Sequence, residues 1–174
     1  MITMNFKKND NLVLVIGKTE GHIDQSLFAR TILDEKNGPP PEVNLFNEKN
    51  NGESLLSLIE NGFIRSAHDI SLGGIITAAS KMSIKGNKGI KFKRSKNLIN
   101  EIEYFFAEDQ SRYIIEIEPK DIKEVTKILD KNSVYYEEIG VIIDKDFIIN
   151  DKTKVTIDEL KSYNKNWLIN YMSS

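Results

Sequence analysis

The stretch "IRSAHDISLGGIITAASKM", Ile64 to Met82, reads as a short strand that turns directly into a helix. Its second half places Gly74, Ala78 and Ala79 beside Ile75, Ile76 and Met82, a small-residue face that predicts a helix buried tightly against a sheet. The corner between the two halves holds one of only two histidines, an aspartate, a serine and a double glycine. Two uses fit that corner. Free N–H groups at Gly73 and Gly74, with the helix dipole behind them, accept phosphate or carboxylate, and glycine lets the anion approach the backbone. Alternatively, Asp69 or Ser71 caps the helix and Gly74 serves close packing. Spacing leaves both open. His68 followed by Asp69 makes no nucleophilic dyad, because adjacent strand residues face opposite ways and the chain has no cysteine.

Upstream, "NLVLVIG" (Asn11 to Gly17) is a β-branched apolar run ended by glycine, which predicts a buried central strand. A helix is expected next, carrying Leu27, Ile32 and Leu33 and stopped by Asn37-Gly38. Pro39 to Pro41 cannot continue it and predict a stiff, extended connector. Leu55, Leu58 and Ile59 mark a second helix closed by Asn61-Gly62. Downstream, "GIKFKR" reads as a strand, "NLINEIEYFF" as a short helix and "SRYIIEIEP" as a strand ended by Pro119. "KDIKEVTKILDKN" is an amphipathic helix with Ile122, Val125, Ile128 and Leu129 on one face. "VYYEEIGVIID" and "DFIIND" form two strands about the turn Asp144 to Asp146, and "KVTIDELKSYNKNWLINYMSS" is a helix candidate docking through Ile157, Leu160 and Trp167. Irregular interleaving of strands and helices predicts an α+β fold, a mixed β-sheet covered by helices, with residues 11–174 as one domain and residues 1–10 as a linker or added segment.

A net charge of -2, from 24 basic and 26 acidic side chains, argues against nucleic acid or an anionic membrane as partner. Without cysteine there are no disulfides or thiolate sites, and apolar runs as short as "LVLVIG" span no bilayer, so a cytoplasmic protein is expected.

Two further clusters resemble the Gly73-Gly74 corner in character. "GHIDQSLF" sets Gly21, His22, Gln25 and Ser26 before an apolar segment, where capping is the plainer use. "FFAEDQSRYII" lodges Glu108, Asp109, Gln110, Ser111 and Arg112 at the mouth of a buried strand, a position where charges need a ligand, a metal, a partner surface or one another. Arg112 paired with Glu108 or Asp109 is the structural alternative; a carboxylate pair holding Mg²⁺ beside a phosphorylated ligand is the functional one.

Taken in order, "GHIDQSLFARTIL", "GPPPEVNLF", "IRSAHDISLGGIITAASKM" and "FAEDQSRYIIEI" resemble the C-terminal-type domain of the aminoimidazole ribonucleotide synthetase-related superfamily. The proline run and "EDQSRY" resemble, within it, the last domain of the bacterial-type phosphoribosylformylglycinamidine synthase family. The resemblance implies an ATP- and Mg²⁺-dependent ligase that activates the amide oxygen of formylglycinamide ribonucleotide as an iminophosphate, from which ammonia derived from glutamine displaces phosphate. It also implies partners: N-terminal-type ATP-binding domains of the same enzyme, a glutaminase subunit or domain, and the ribonucleotide substrate. Binding roles in a phosphate or nucleotide cleft fall on His68, Asp69, Ser71, Gly73, Gly74, Glu108 to Arg112, Gly21, His22, Gln25 and Ser26, and no catalytic or metal-ligating residue is assigned. Relatives usually carry an acidic residue at Leu72, and glycines at Asp24 and Ala107. The expectation is a domain inactive alone, with a sheet through which it can dimerise; a domain-docking module and a related kinase or synthetase domain are the competing readings.

Overall fold

The computed structural model describes residues 2–93 and 99–173. Seven strands form one sheet: β1 (Leu12–Ile16), β2 (Ile64–Asp69), β3 (Gly89–Phe92), β4 (Tyr113–Ile117), β5 (Tyr136–Ile143), β6 (Asp146–Ile149) and β7 (Thr153–Thr156), in the order β2-β4-β1-β5-β3-β6-β7. β1 lies inside the sheet, antiparallel to β4 and β5, as its unbroken apolar run predicts. Among the described strands only β3 and β6 pair in parallel, which makes the sheet mixed.

The alternation along β1 splits the core in two. Val13 and Val15 join Ile75, Ala78, Ala79 and Met82 of α2 (Gly74–Gly86) and Tyr104 and Phe105 of α3 (Glu101–Phe106). Leu14 and Ile16 join Leu58 of α1 (Leu45–Glu60) and Val125 and Leu129 of α4 (Ile122–Lys131) on the other face. The α2 face packs as closely as its small residues require: a Cβ on Gly74, at φ +67, would lie 2.6 Å from the Phe105 carbonyl oxygen.

Four differences from the sequence reading stand out. The helix expected after β1 is reduced to a π-helical turn, Ala29–Leu33, in which Ile32 and Leu33 are exposed, as is Leu27 just before it. Only Phe28, against the Phe106 ring, and buried Ala29 pack this segment on the domain, too small a face to support a longer helix. The tail starts as β7, and α5 begins only at Ile157; Ile157 is buried and Leu160 packs on the core, but Trp167 is exposed. The segment read as a linker is held in place, with Phe6 buried and its amide donating to the Met82 carbonyl at 3.2 Å. Glu116, on β4, is fully buried and accepts from the Lys7 and Lys8 amides, Asn11 Nδ2 and Ser66 Oγ, which ties residues 7–11 to the sheet. Residues 94–98, which include the end of the expected strand and the start of the expected short helix, lie outside the described residues.

Candidate functional site

Three segments converge on the turn between α3 and β4. The first is the loop that leaves β1 at Gly17, the second is the β2–α2 corner, and the third is the turn itself, Ala107 to Arg112. Glu108 joins all three: its Oε1 accepts from the Gly73 amide at 2.8 Å and the Leu27 amide at 2.7 Å, while its own amide donates to the His22 carbonyl at 3.0 Å. Asp109 then captures three successive amides of the first loop, those of Glu20 at 3.0 Å, Gly21 at 3.1 Å and His22 at 3.1 Å. Three N–H groups converging on one carboxylate form the kind of concave cradle that binds anions. Here the anion is the chain's own.

Arg112 holds this turn from beneath. Its side chain is fully buried and donates to the Ala107 carbonyl at 2.6 Å, the Asp109 carbonyl at 3.1 Å and Thr19 Oγ1 at 2.9 Å. Burial lowers its pKa from the ordinary value and the neighbouring Asp109 carboxylate opposes that shift. Its guanidinium is thereby spent on structure.

The double glycine differs from the reading of an exposed helix start. Gly73 and Gly74 are both buried, the Gly73 amide is taken by Glu108, and the Gly74 amide donates to the Ser71 carbonyl at 3.0 Å. The cap therefore comes from a residue 35 positions away and not from Asp69 or Ser71. Ser71 is exposed, its Oγ accepting from the Leu72 amide at 2.6 Å. His68 and Asp69, the last two residues of β2, do meet, Nδ1 to Oδ1 at 3.0 Å. Ser26 is a buried cap, its Oγ accepting from the Ala29 amide at 3.1 Å. Gln25 donates through Nε2 to the Gly38 carbonyl, and His22 Nε2 lies 3.1 Å from the Pro39 carbonyl, so both tether the proline connector.

Beside this network opens a cavity of about 490 Å³. Lys18, Glu20, Gly21 and His22 line it from the first loop, Glu42, Asn44, Asn47 and Asn51 from the connector and α1, and Asp109, Gln110 and Ser111 from the turn. Of the expected site residues it thus gathers Gly21, His22, Asp109, Gln110 and Ser111, and not His68, Asp69, Ser71, Gly73 or Gly74. Ser111 adopts φ +59, and its buried Oγ has no hydrogen-bond partner among the described residues. Asn51 of α1 escaped the sequence reading, although a signal existed: it extends the Leu55–Leu58 stripe by one turn, and a polar residue on a buried stripe needs a partner. Asn51 finds one in the Ser111 carbonyl at 2.8 Å. Val43, Leu45 and Phe46, which neighbour the lining residues Glu42, Asn44 and Asn47 in sequence, are exposed, as are Ile32 and Leu33.

Residues 8–151 match the family model of the C-terminal domain of AIR synthase related proteins. Phosphoribosylformylglycinamidine synthase subunit PurL of Pelagibacter ubique is 63% identical across the whole chain, which covers 24% of that protein. The PurL subunit of Caldanaerobacter subterraneus is 36% identical over 156 residues, 21% of its length. The chain thus spans about a quarter of the length of the curated relatives it matches. Its fold is shared with Thermotoga maritima PurL complexed with FGAR, at TM-score 0.75 and 18% identity over 92% of this chain and 29% of that one. Escherichia coli HypE, a hydrogenase maturation protein, matches at TM-score 0.64 and 14% identity over 90% of this chain and 52% of that one.

Proposed function

The chain belongs to the family of C-terminal domains of AIR synthase related proteins, and on that premise we propose that it acts as the C-terminal domain of a phosphoribosylformylglycinamidine synthase. In that reading it supplies one wall of a nucleotide or substrate cleft, has no turnover alone, and works in the cytoplasm in de novo purine synthesis. The observation that carries the proposal is the meeting of Asp109 and the Gly21–His22 loop at one open cavity, beside a relative that is 63% identical across the whole of this chain and named for that enzyme. The exposed apolar residues Ile32, Leu33, Val43, Leu45 and Phe46 support completion by another domain. The same exposed apolar residues favour a second reading, a docking module that assembles N-terminal-type ATP-binding domains and a glutaminase without touching ligand.

ATP and Mg²⁺ fit this chain unequally. No group of three metal-capable side chains occurs among the described residues, and the Glu108 and Asp109 oxygens that bond the amides of Gly73, Leu27 and residues 20–22 are already engaged, so this pair of carboxylates does not by itself form a ready Mg²⁺ site. A nucleotide's sugar and base suit the polar cavity; its phosphates and their metal belong with groups from the other domains.

The test is a chimaera in which the corresponding quarter of the Pelagibacter subunit is replaced by this chain, assayed for ATP-dependent amidine formation with ammonia. Activity in the chimaera and none in the isolated chain is expected. A chimaera that assembles normally but makes no product overturns the proposal, as does appreciable turnover by this chain alone.

A further inference from the structure

We propose that Asn37 is a site of spontaneous modification, deamidated through a succinimide that its side chain closes with the Gly38 amide, and that the isoaspartyl product slackens the proline connector. This chemistry belongs to the chain itself and needs no ligand. An asparagine followed by glycine is the pair in which the next main-chain nitrogen best reaches the side-chain carbonyl carbon, because no Cβ stands in the way. The chain has three such pairs, Asn37-Gly38, Asn51-Gly52 and Asn61-Gly62. The fold restrains two of them. Asn51 is buried within α1, its Nδ2 donating to the Ser111 carbonyl at 2.8 Å, and Gly52 lies inside the same helix, where its amide belongs to the helical ladder. Asn61 is exposed, yet its Nδ2 donates to the Ser57 carbonyl at 2.8 Å and the Gly62 amide to the Ile59 carbonyl at 3.0 Å. Of the three, only Asn37 combines exposure with freedom. Neither its side chain nor the Gly38 amide has a hydrogen-bond partner among the described residues, and Gly38 sits at φ +113 in irregular backbone.

The Gly38 nitrogen gives its proton to solvent base and attacks Cγ of Asn37. The new N–Cγ bond closes the ring, the Cγ–Nδ2 bond breaks, and ammonia leaves with a proton from water. A second water then opens the succinimide at either carbonyl. Opening at Cγ leaves aspartate; opening at the main-chain carbonyl leaves isoaspartate, whose backbone runs through Cβ and Cγ and is longer by one atom. That extra atom enters just before two tethers of the connector, the Gly38 carbonyl that accepts from Gln25 Nε2 and the Pro39 carbonyl 3.1 Å from His22 Nε2. The new carboxylate also arrives one residue from where Asp24 packs, since a Cβ on Gly38 would lie 2.6 Å from Asp24 Cγ, and like charges repel.

The test is to age the whole chain of 174 residues in mildly alkaline buffer, folded and in urea, and to follow the exchange of –NH₂ for –OH at each asparagine by tandem mass spectrometry, with fragment ions that separate isoaspartate from aspartate. In the folded chain Asn37 is expected to turn over at least about tenfold faster than Asn61, the factor that two hydrogen bonds holding the Asn61-Gly62 pair are worth. In urea the three pairs are expected to draw level. The isoaspartyl fraction, separated by ion exchange, is expected to show the His22 ring resonances displaced and those of His68, the other histidine, in place. Asn61 keeping pace with Asn37 in the folded chain, or Asn37 staying intact there while it turns over in urea, overturns the assignment of the site. An isoaspartyl fraction whose His22 signals are unmoved overturns the slackening of the connector.

Discussion

The carboxylate of Glu108 lies 2.8 Å from the amide nitrogen of Gly73 and so closes the start of α2 with a charge the chain carries itself. Charge-assisted bonds to the Gly73 and Leu27 amides contribute about 1.5–3 kcal/mol in all for a half-buried carboxylate. Glu108→Ala should lower the melting temperature by roughly 3–10 °C. Phosphate should then restore part of that loss in the variant and none in the parent, since a helix N-terminus stripped of its carboxylate is an anion site. Equal phosphate effects on both proteins would refute this account.

Gly74 is needed for two reasons that a paired substitution separates. At Gly62, φ is +75 and an added Cβ would have nothing within 4 Å, so Gly62→Ala costs only the left-handed conformation, about 1–2 kcal/mol. At Gly74 a Cβ would also strike the Phe105 and Ala107 carbonyl oxygens at 2.6 and 2.7 Å. Gly74→Ala should therefore cost about 3 kcal/mol or more in chemical denaturation, and a cost equal to that of Gly62→Ala would show that the packing yields.

Arg112 is a test of what the turn needs. Arg112→Met keeps most of the buried volume but removes the donors to the Ala107 and Asp109 carbonyls, and a loss of about 3–5 kcal/mol is expected. Arg112→Lys retains charge without the fork and should recover less than half of that. Full recovery by lysine would mean that charge alone matters.

Much of this architecture was legible because its causes are local. The apolar run 12–16, the stripe Ile122–Val125–Leu129 and the small residues of α2 announce burial within one or two turns of chain. The Ala29–Leu33 segment misleads for a physical reason: apolar spacing is the same whether the covering face belongs to this chain or to another. The site's wiring had no local trace at all, since Asp109 reaches amides 87 to 89 residues away. One missed boundary did carry a signal. Thr156 and Glu159 form a reciprocal capping box, Glu159 Oε2 accepting from the Thr156 amide at 2.8 Å and Thr156 Oγ1 from the Glu159 amide at 3.2 Å, which separates β7 from α5.

Acid should expose a surface ion pair cluster. Lys120 first and Arg65 second, by hydrogen bonding, hold the Glu118 carboxyl down from its ordinary 4.5 to about 2. A depressed carboxylate favours the folded state above its unfolded pKa, and that contribution fades as pH falls from about 4.5 through about 2. The parent should lose stability across that window more steeply than Glu118→Gln, and the two curves should converge at its acid end. Parallel curves would assign acid unfolding to other groups.

Glu116 and the first ten residues should prove energetically inseparable. Two of the four donors to this buried carboxylate, the Lys7 and Lys8 amides, come from that segment, and Phe6 beside them is 1% exposed. Deleting residues 1–8 uncovers the α2 surface under Phe6 and leaves a buried charge with half its bonds, so a loss of about 3–5 kcal/mol is expected. Glu116→Gln in the whole chain should cost about 2–3 kcal/mol, because its amide end must face donors. In the deleted chain the same substitution should cost far less, since the carboxylate has already lost the bonds that reward its charge. A double-mutant cycle measures this directly: strong coupling makes the segment part of the domain's core, and additive costs would return it to the status of a linker.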